Sequence, residues 1–170
     1  VVYSMDTGRL TSFGENDLKK PTGLSVDGAG RVYVADYGAE QVVIFAPDRS
    51  VERCLTRPTE AYYGASPYKP QKVDLDSYGN LFVISEGTYE GLSAVEWFQK
   101  IFYTEEQKSK MSFRTPPNIV ALDVAASDMV FSVTQNDRKQ AIKKLNMAGV
   151  NVYSDGLDWG YGNYADVAVL

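Results

Sequence analysis

The stretch from Pro21 to Asp36, PTGLSVDGAGRVYVAD, constrains the fold most, because its spacing recurs downstream. Pro70 opens PQKVDLDSYGNLFVIS 49 residues later, placing Val73, Leu75, Asp76, Gly79, Leu81 and Val83 where Leu24, Val26, Asp27, Gly30, Val32 and Val34 stand. Pro117 opens PNIVALDVAASDMVFSVT, and an offset of 47 sets Val120, Leu122 and Asp123 in register, with a turn one residue longer and without its glycine. Tyr164, with Val167 and Val169, begins a fourth unit. Periods of roughly 40 to 50 residues belong to repeat architectures.

Within the unit, apolar residues alternate at Leu24 and Val26 and again at Val32 and Val34, which is the period of a half-buried strand. Asp27 to Gly30 supplies the turn: an aspartate carboxylate accepts nearby amides, and glycine takes positive φ without a Cβ clash. A third run at Gln41–Phe45, the turn APDRS, and a fourth run at Val51–Leu55 complete an antiparallel sheet. Four strands in this length is one propeller blade. Sheets packed face to face should bury Val26, Val34, Leu75, Val83 and Leu122.

The pattern PxGLxVDxxGxVYVADYGxxxVxIFxPDxxV from Pro21 to Val51 resembles the NHL repeat, and YKPQKVDLDSYGNLFVISEG is similar to a second copy. The whole chain is also similar to bacterial NHL-repeat proteins with a helical excursion after one blade. The resemblance implies an all-β, NHL-type β-propeller, of about six blades when closed, in an extracellular or cell-surface setting. About three blade units plus a partial one fit here, near residues 21–57, 70–91 and 117–153, in a single partial domain over 1–170. Val1–Leu10 reads as the end of a preceding blade, so the chain is expected to be cut from a longer protein. Bare end blades would expose strand edges and apolar faces, so self-association of two copies end to end is expected, with missing native blades as the rival explanation.

The second unit departs from the pattern. After Ser85-Glu86-Gly87, the sequence TYEGLSAVEWFQKIFYTEEQKSKM spaces Leu92, Val95, Phe98 and Ile101 by threes, and Thr104 with Gln107 fits a capping box. A helical insertion over 92–111 is therefore expected, with Trp97 and Phe98 as anchors. Either it replaces two strands, or residues are missing between Gly91 and Leu92.

Formal charge is −5 and no basic run exceeds a Lys pair, which argues against a nucleic-acid surface. The Lys19-Lys20 pair reads as solvated loop charge. No apolar run reaches the roughly 18 to 20 residues of a bilayer span. Cys54, the single cysteine, lies in an alternating run and is expected in the core.

The chain contains no histidine, so Ser-His-Asp, Cys-His and His-bound metal chemistry is excluded within it. Candidate contact residues come instead from loops: Tyr62, Tyr63 and Tyr68 in the Pro/Tyr/Gly-rich segment 57–69, Trp159, Tyr161 and Tyr164 in SDGLDWGYGNY, and Asp36, whose unrepeated carboxylate either touches a ligand or caps the adjoining loop. Asp27, Asp76 and Asp123 read as turn devices. These features favour a non-catalytic propeller without cofactor or metal, presenting loops to a protein, peptide or glycan partner. The alternative is a calcium-dependent lactonase-like hydrolase with carboxylate ligands in the channel.

Overall fold

The computed structural model describes residues 2–57, 68–89, 92–101, 109–114, 119–124, 130–136, 139–145 and 151–157. The described elements are all strands: β1 (Val2–Ser4), β2 (Arg9–Thr11), β3 (Pro21–Val26), β4 (Val32–Asp36), β5 (Gln41–Phe45), β6 (Val51–Leu55), β7 (Lys69–Leu75), β8 (Leu81–Tyr89), β9 (Leu92–Ile101), β10 (Ser109–Arg114), β11 (Ile119–Val124), β12 (Val130–Asn136), β13 (Lys139–Leu145) and β14 (Asn151–Leu157). After the β1–β2 hairpin come three four-stranded antiparallel meanders, β3 to β6, β7 to β10 and β11 to β14.

The first two turns repeat atom for atom. Asp27 Oδ1 accepts the amides of Ala29 and Arg31, and Asp76 Oδ1 those of Tyr78 and Asn80. Gly30 and Gly79 complete them at φ of 85° and 78°, donating to the Asp27 and Asp76 carbonyls. Both aspartates are turn devices here. Arg31 and Tyr33 also donate to Asp27 Oδ2. Desolvation opposes ionisation of this carboxyl, but the Arg31 guanidinium and the amides of Arg31 and Ala29 outweigh it and hold the pKa below its ordinary range.

The third unit keeps the 49-residue period. Ile119 pairs with Thr134 as Pro70 pairs with Ser85 and Pro21 with Asp36, and each first strand carries a register shift just after that pair. Closing pairs Val26↔Val32, Leu75↔Leu81 and Val124↔Val130 each span five residues. The offset of 47 was therefore two residues out, Pro117 being a decoy. Asp123 occupies the strand position of Asp74, not the turn position of Asp76. A two-residue slip preserves strand parity, which is why the apolar alternation gave no warning.

The expected helix over 92–111 is overturned: β9 and β10 are the third and fourth strands of the second sheet. The hairpin from β8 to β9 runs on to the pair Tyr89↔Leu92, past the length of its counterpart in the first sheet. Val95, Trp97, Phe98 and Ile101 are β-branched or aromatic, and a nine-residue β8 offers them a ladder; the three-residue spacing was coincidental. The Gly91–Leu92 junction and the Thr104–Gln107 box lie outside the described residues.

Strand β7 packs against β3, β4 and β5 on one side and β11 on the other. Tyr33, Ala35, Val42, Ile44 and Leu55 of the first sheet meet Val73, Leu81 and Val83 of the second in a buried cluster, with Leu75 partly buried beside it. Asp74 ties the three first strands together, accepting from Ser25 Oγ at 2.9 Å and from the Val124 amide at 2.7 Å. Desolvation, reinforced by the charge of Asp123, raises its pKa against those hydrogen bonds.

The opposite face of the first sheet holds Val32, Val34, Val43 and Phe45, with Phe13, Leu18 and a half-buried Cys54 against them. Phe13 meets Phe45 edge to face at 5.1 Å. Among the five positions expected to be buried, Val34 and Val83 are, Leu75 and Leu122 are half-buried, and Val26 is 54% exposed. Val26 and Leu24, the latter 66% exposed, repeat Leu75 and Val73, but no four-stranded sheet among the described residues covers this side.

Candidate functional site

Two concavities mark the described surface. One, of about 600 Å3, is apolar and follows the open face of the first sheet past Phe13, Leu18, Leu24, Val26 and Arg49. The other, of about 310 Å3, lies where β3 and β7 begin and is lined by Lys20, Thr22, Tyr37, Gln71 and Lys72.

Glycines and one carboxylate build the smaller pocket. At Gly23 a Cβ would stand 2.8 Å from the Gln71 carbonyl oxygen and 3.1 Å from Lys72 Cα, so only glycine lets β3 approach β7 this closely. At Gly38 a Cβ would meet Lys20 Cβ at 2.9 Å, so the turn after β4 lies directly on the 19–20 backbone. Asp36, fully buried, fixes that contact: Oδ2 accepts the Lys19 amide at 2.8 Å, and Oδ1 accepts those of Lys20 at 2.7 Å and Ala39 at 3.3 Å. Tyr37 then donates its amide to the Lys20 carbonyl. Thr22 Oγ1 donates toward the carbonyls of Ala35 and Pro70, joining the two sheets beneath the pocket.

The result is a tyrosine ring with two ammonium groups in cation–π range. Lys20 Nζ lies 4.6 Å and Lys69 Nζ 5.1 Å from the Tyr37 ring centroid, with Lys72 lining the same cavity.

Of the residues singled out in the sequence, Asp36 sits under this pocket as the clamp on its loop. Tyr68, next to Lys69, is 4% exposed within the core cluster, and its buried hydroxyl has no hydrogen-bond partner among the described residues; burial drives its pKa far up. Tyr62, Tyr63, Trp159, Tyr161 and Tyr164 lie outside the described residues. Tyr37, Lys69 and Lys72 went unremarked in the sequence, and Lys20 was read with Lys19 as solvated loop charge, although Lys20 and Lys69 stand 49 residues apart and so share one repeat position. Among the described residues, no three cysteine, aspartate or glutamate side chains converge in a metal-binding group.

An NHL repeat profile matches residues 18–45, the segment that carries Lys20, Asp36 and Tyr37. No curated protein sequence matches the chain. Among solved structures, a eukaryotic initiation factor aligns over 88% of this chain and 35% of its own, at 11% identity and a TM-score of 0.57. A Bacteroides caccae protein of unknown function aligns over 85% and 52%, at 10% identity and the same TM-score. A virginiamycin B lyase from Staphylococcus aureus aligns over 88% and 59%, at 12% identity and a TM-score of 0.46, too low to bear on fold or chemistry. The chain thus spans between a third and three fifths of these proteins' lengths. These matches show an NHL repeat over residues 18–45 and a propeller-like, strand-built fold for the described residues.

Proposed function

We propose that the chain is a non-catalytic NHL-type propeller module that binds a protein, peptide or glycan partner at the end where β3 and β7 begin. The supporting observation is the pocket around Tyr37: a concave site on rigid strands, its loop clamped by three amide bonds to the buried Asp36. Sites of this kind bind through pre-organisation, since the groups that touch the partner lose little further freedom. The turn aspartates are occupied by their own turns, which leaves recognition to side chains such as Tyr37 and the lysines around it.

Screening the chain against peptide and glycan libraries, with Tyr37→Ala as control, tests the reading. Saturable binding that Tyr37→Ala abolishes while circular dichroism stays unchanged is expected. Calcium-stimulated turnover of lactones, retained in Tyr37→Ala, would overturn it in favour of a hydrolase.

A further inference from the structure

We infer that the pocket between β3 and β7 binds a single anionic group, a carboxylate or a phosphate monoester, held by the ammonium groups of Lys20 and Lys72 beside Tyr37, with Lys69 at the rim. The inference rests on the binding reading above and names the chemistry of the group bound.

Two lysines line the pocket and a third lies 5.1 Å from the Tyr37 ring, in a chain whose formal charge is −5. Gathering them costs free energy unless a counter-charge is supplied, because cation–ring attraction orients an ammonium without neutralising it. Two described carboxylates near the pocket are committed elsewhere. Asp36 lies beneath the pocket but faces the amides of Lys19, Lys20 and Ala39, and Asp74, further along β7, faces Ser25 and Val124. Arg31 pairs with Asp27 at 2.6 Å and with Glu52 at 3.8 Å, at the opposite end of the β3–β4 hairpin from Asp36 and Tyr37. Glu86 is the backbone register partner of Lys69 on β8.

Shape narrows the ligand. A volume of about 310 Å3 suits one charged group and its immediate substituent, whereas a nucleic-acid strand needs a series of phosphate contacts along a groove. Lysine ammoniums are compact point charges that take carboxylate or phosphate oxygens from several directions, without the geometric demand of an arginine fork. Gly23 and Gly38 hold the strands and loop that carry Lys20 and Lys72 in backbone contact, so the charges converge through the fold and not through chance side-chain placement.

The test is an amide-resolved NMR titration of the 15N-labelled chain with inorganic phosphate and, separately, with succinate, against sodium chloride at matched ionic strength. Saturable shifts at Lys20, Tyr37 and Lys69 to Lys72 are expected with at least one probe, and the probe that gives them identifies the source. The Lys20→Gln/Lys72→Gln double variant should bind at least about tenfold more weakly. Lys69→Gln, at the rim, provides the same comparison should the double variant lose its dispersed spectrum. Shifts that do not saturate, or that chloride reproduces, overturn the anion site. Library binding that Tyr37→Ala abolishes would still stand in that event, so the two failures are distinguishable.

Discussion

Replacing Gly23 by alanine should separate the first two sheets where they touch. The added Cβ would lie 2.8 Å from the Gln71 carbonyl oxygen and 3.1 Å from Lys72 Cα, both backbone atoms that no rotamer change can move aside. Relief requires β3 and β7 to part by several tenths of an ångström across a packed junction that also carries the bonds from Thr22 to Pro70 and Ser25 to Asp74. Overpacking of this kind costs about 1–3 kcal/mol, and rigid backbone on the receiving side places Gly23→Ala toward the upper end. Gly28→Ala is the internal control: nothing lies within 4 Å of its Cβ position and its φ is not positive, so restricting the unfolded chain should leave stability unchanged or raise it by about 0.4–1 kcal/mol. Urea unfolding followed by circular dichroism reads both. With a slope of about 2 kcal/mol/M, Gly23→Ala should lower the midpoint by about 1–1.5 M with little change in slope. A Gly23→Ala midpoint equal to or above that of Gly28→Ala would refute the close approach of β3 to β7.

Tyr68→Phe removes a buried hydroxyl that has no partner among the described residues; unfolding should show it neutral or stabilised by about 1 kcal/mol, and a loss above that would mean the hydroxyl is bonded. Asp74→Asn tests linkage. Because burial raises the folded-state pKa above the unfolded value, stability associated with this group is fully present below the unfolded pKa of about 3.9 and is lost as pH rises through the folded value. The difference in unfolding free energy, variant minus parent, should therefore shift in the variant's favour as pH is raised across that window, and a pH-independent difference would contradict the raised pKa. The exposed apolar face of Leu24 and Val26 should drive concentration-dependent association in sedimentation velocity, reduced in Leu24→Glu/Val26→Glu. A parent chain that stays monomeric at high concentration would remove that expectation.

The first unit was legible because each local signal agreed: alternation, a turn aspartate and a turn glycine all pointed to one hairpin. The third unit was misregistered because Pro117 and Asp123 imitate landmarks from two residues away, while strand parity stays unchanged. The second half of the second unit was misread because the spacing of Leu92, Val95, Phe98 and Ile101 satisfies a helix template, and a single sequence does not show that β8 is waiting to pair with it. The lysine pocket escaped for a different reason. Its charges come from segments 49 residues apart, so inspection for basic runs meets only isolated pairs such as Lys19-Lys20, and only superposing the repeat brings Lys20 onto Lys69. Asp36 was legible as a carboxylate with a local task, but the amides it serves, 16 and 17 residues upstream, follow only from the fold.

The account stands on sheets that stack through their faces, with the first strands β3, β7 and β11 side by side. Methyl-resolved NOE spectroscopy tests this most directly. Cross-peaks should join Ala35, Val42 and Ile44 of the first sheet to Val73, Leu81 and Val83 of the second, and the Val124 amide should report its bond to Asp74 by moving in Asp74→Asn. Cross-peaks confined within each sheet, with a Val124 amide indifferent to Asp74, would contradict it.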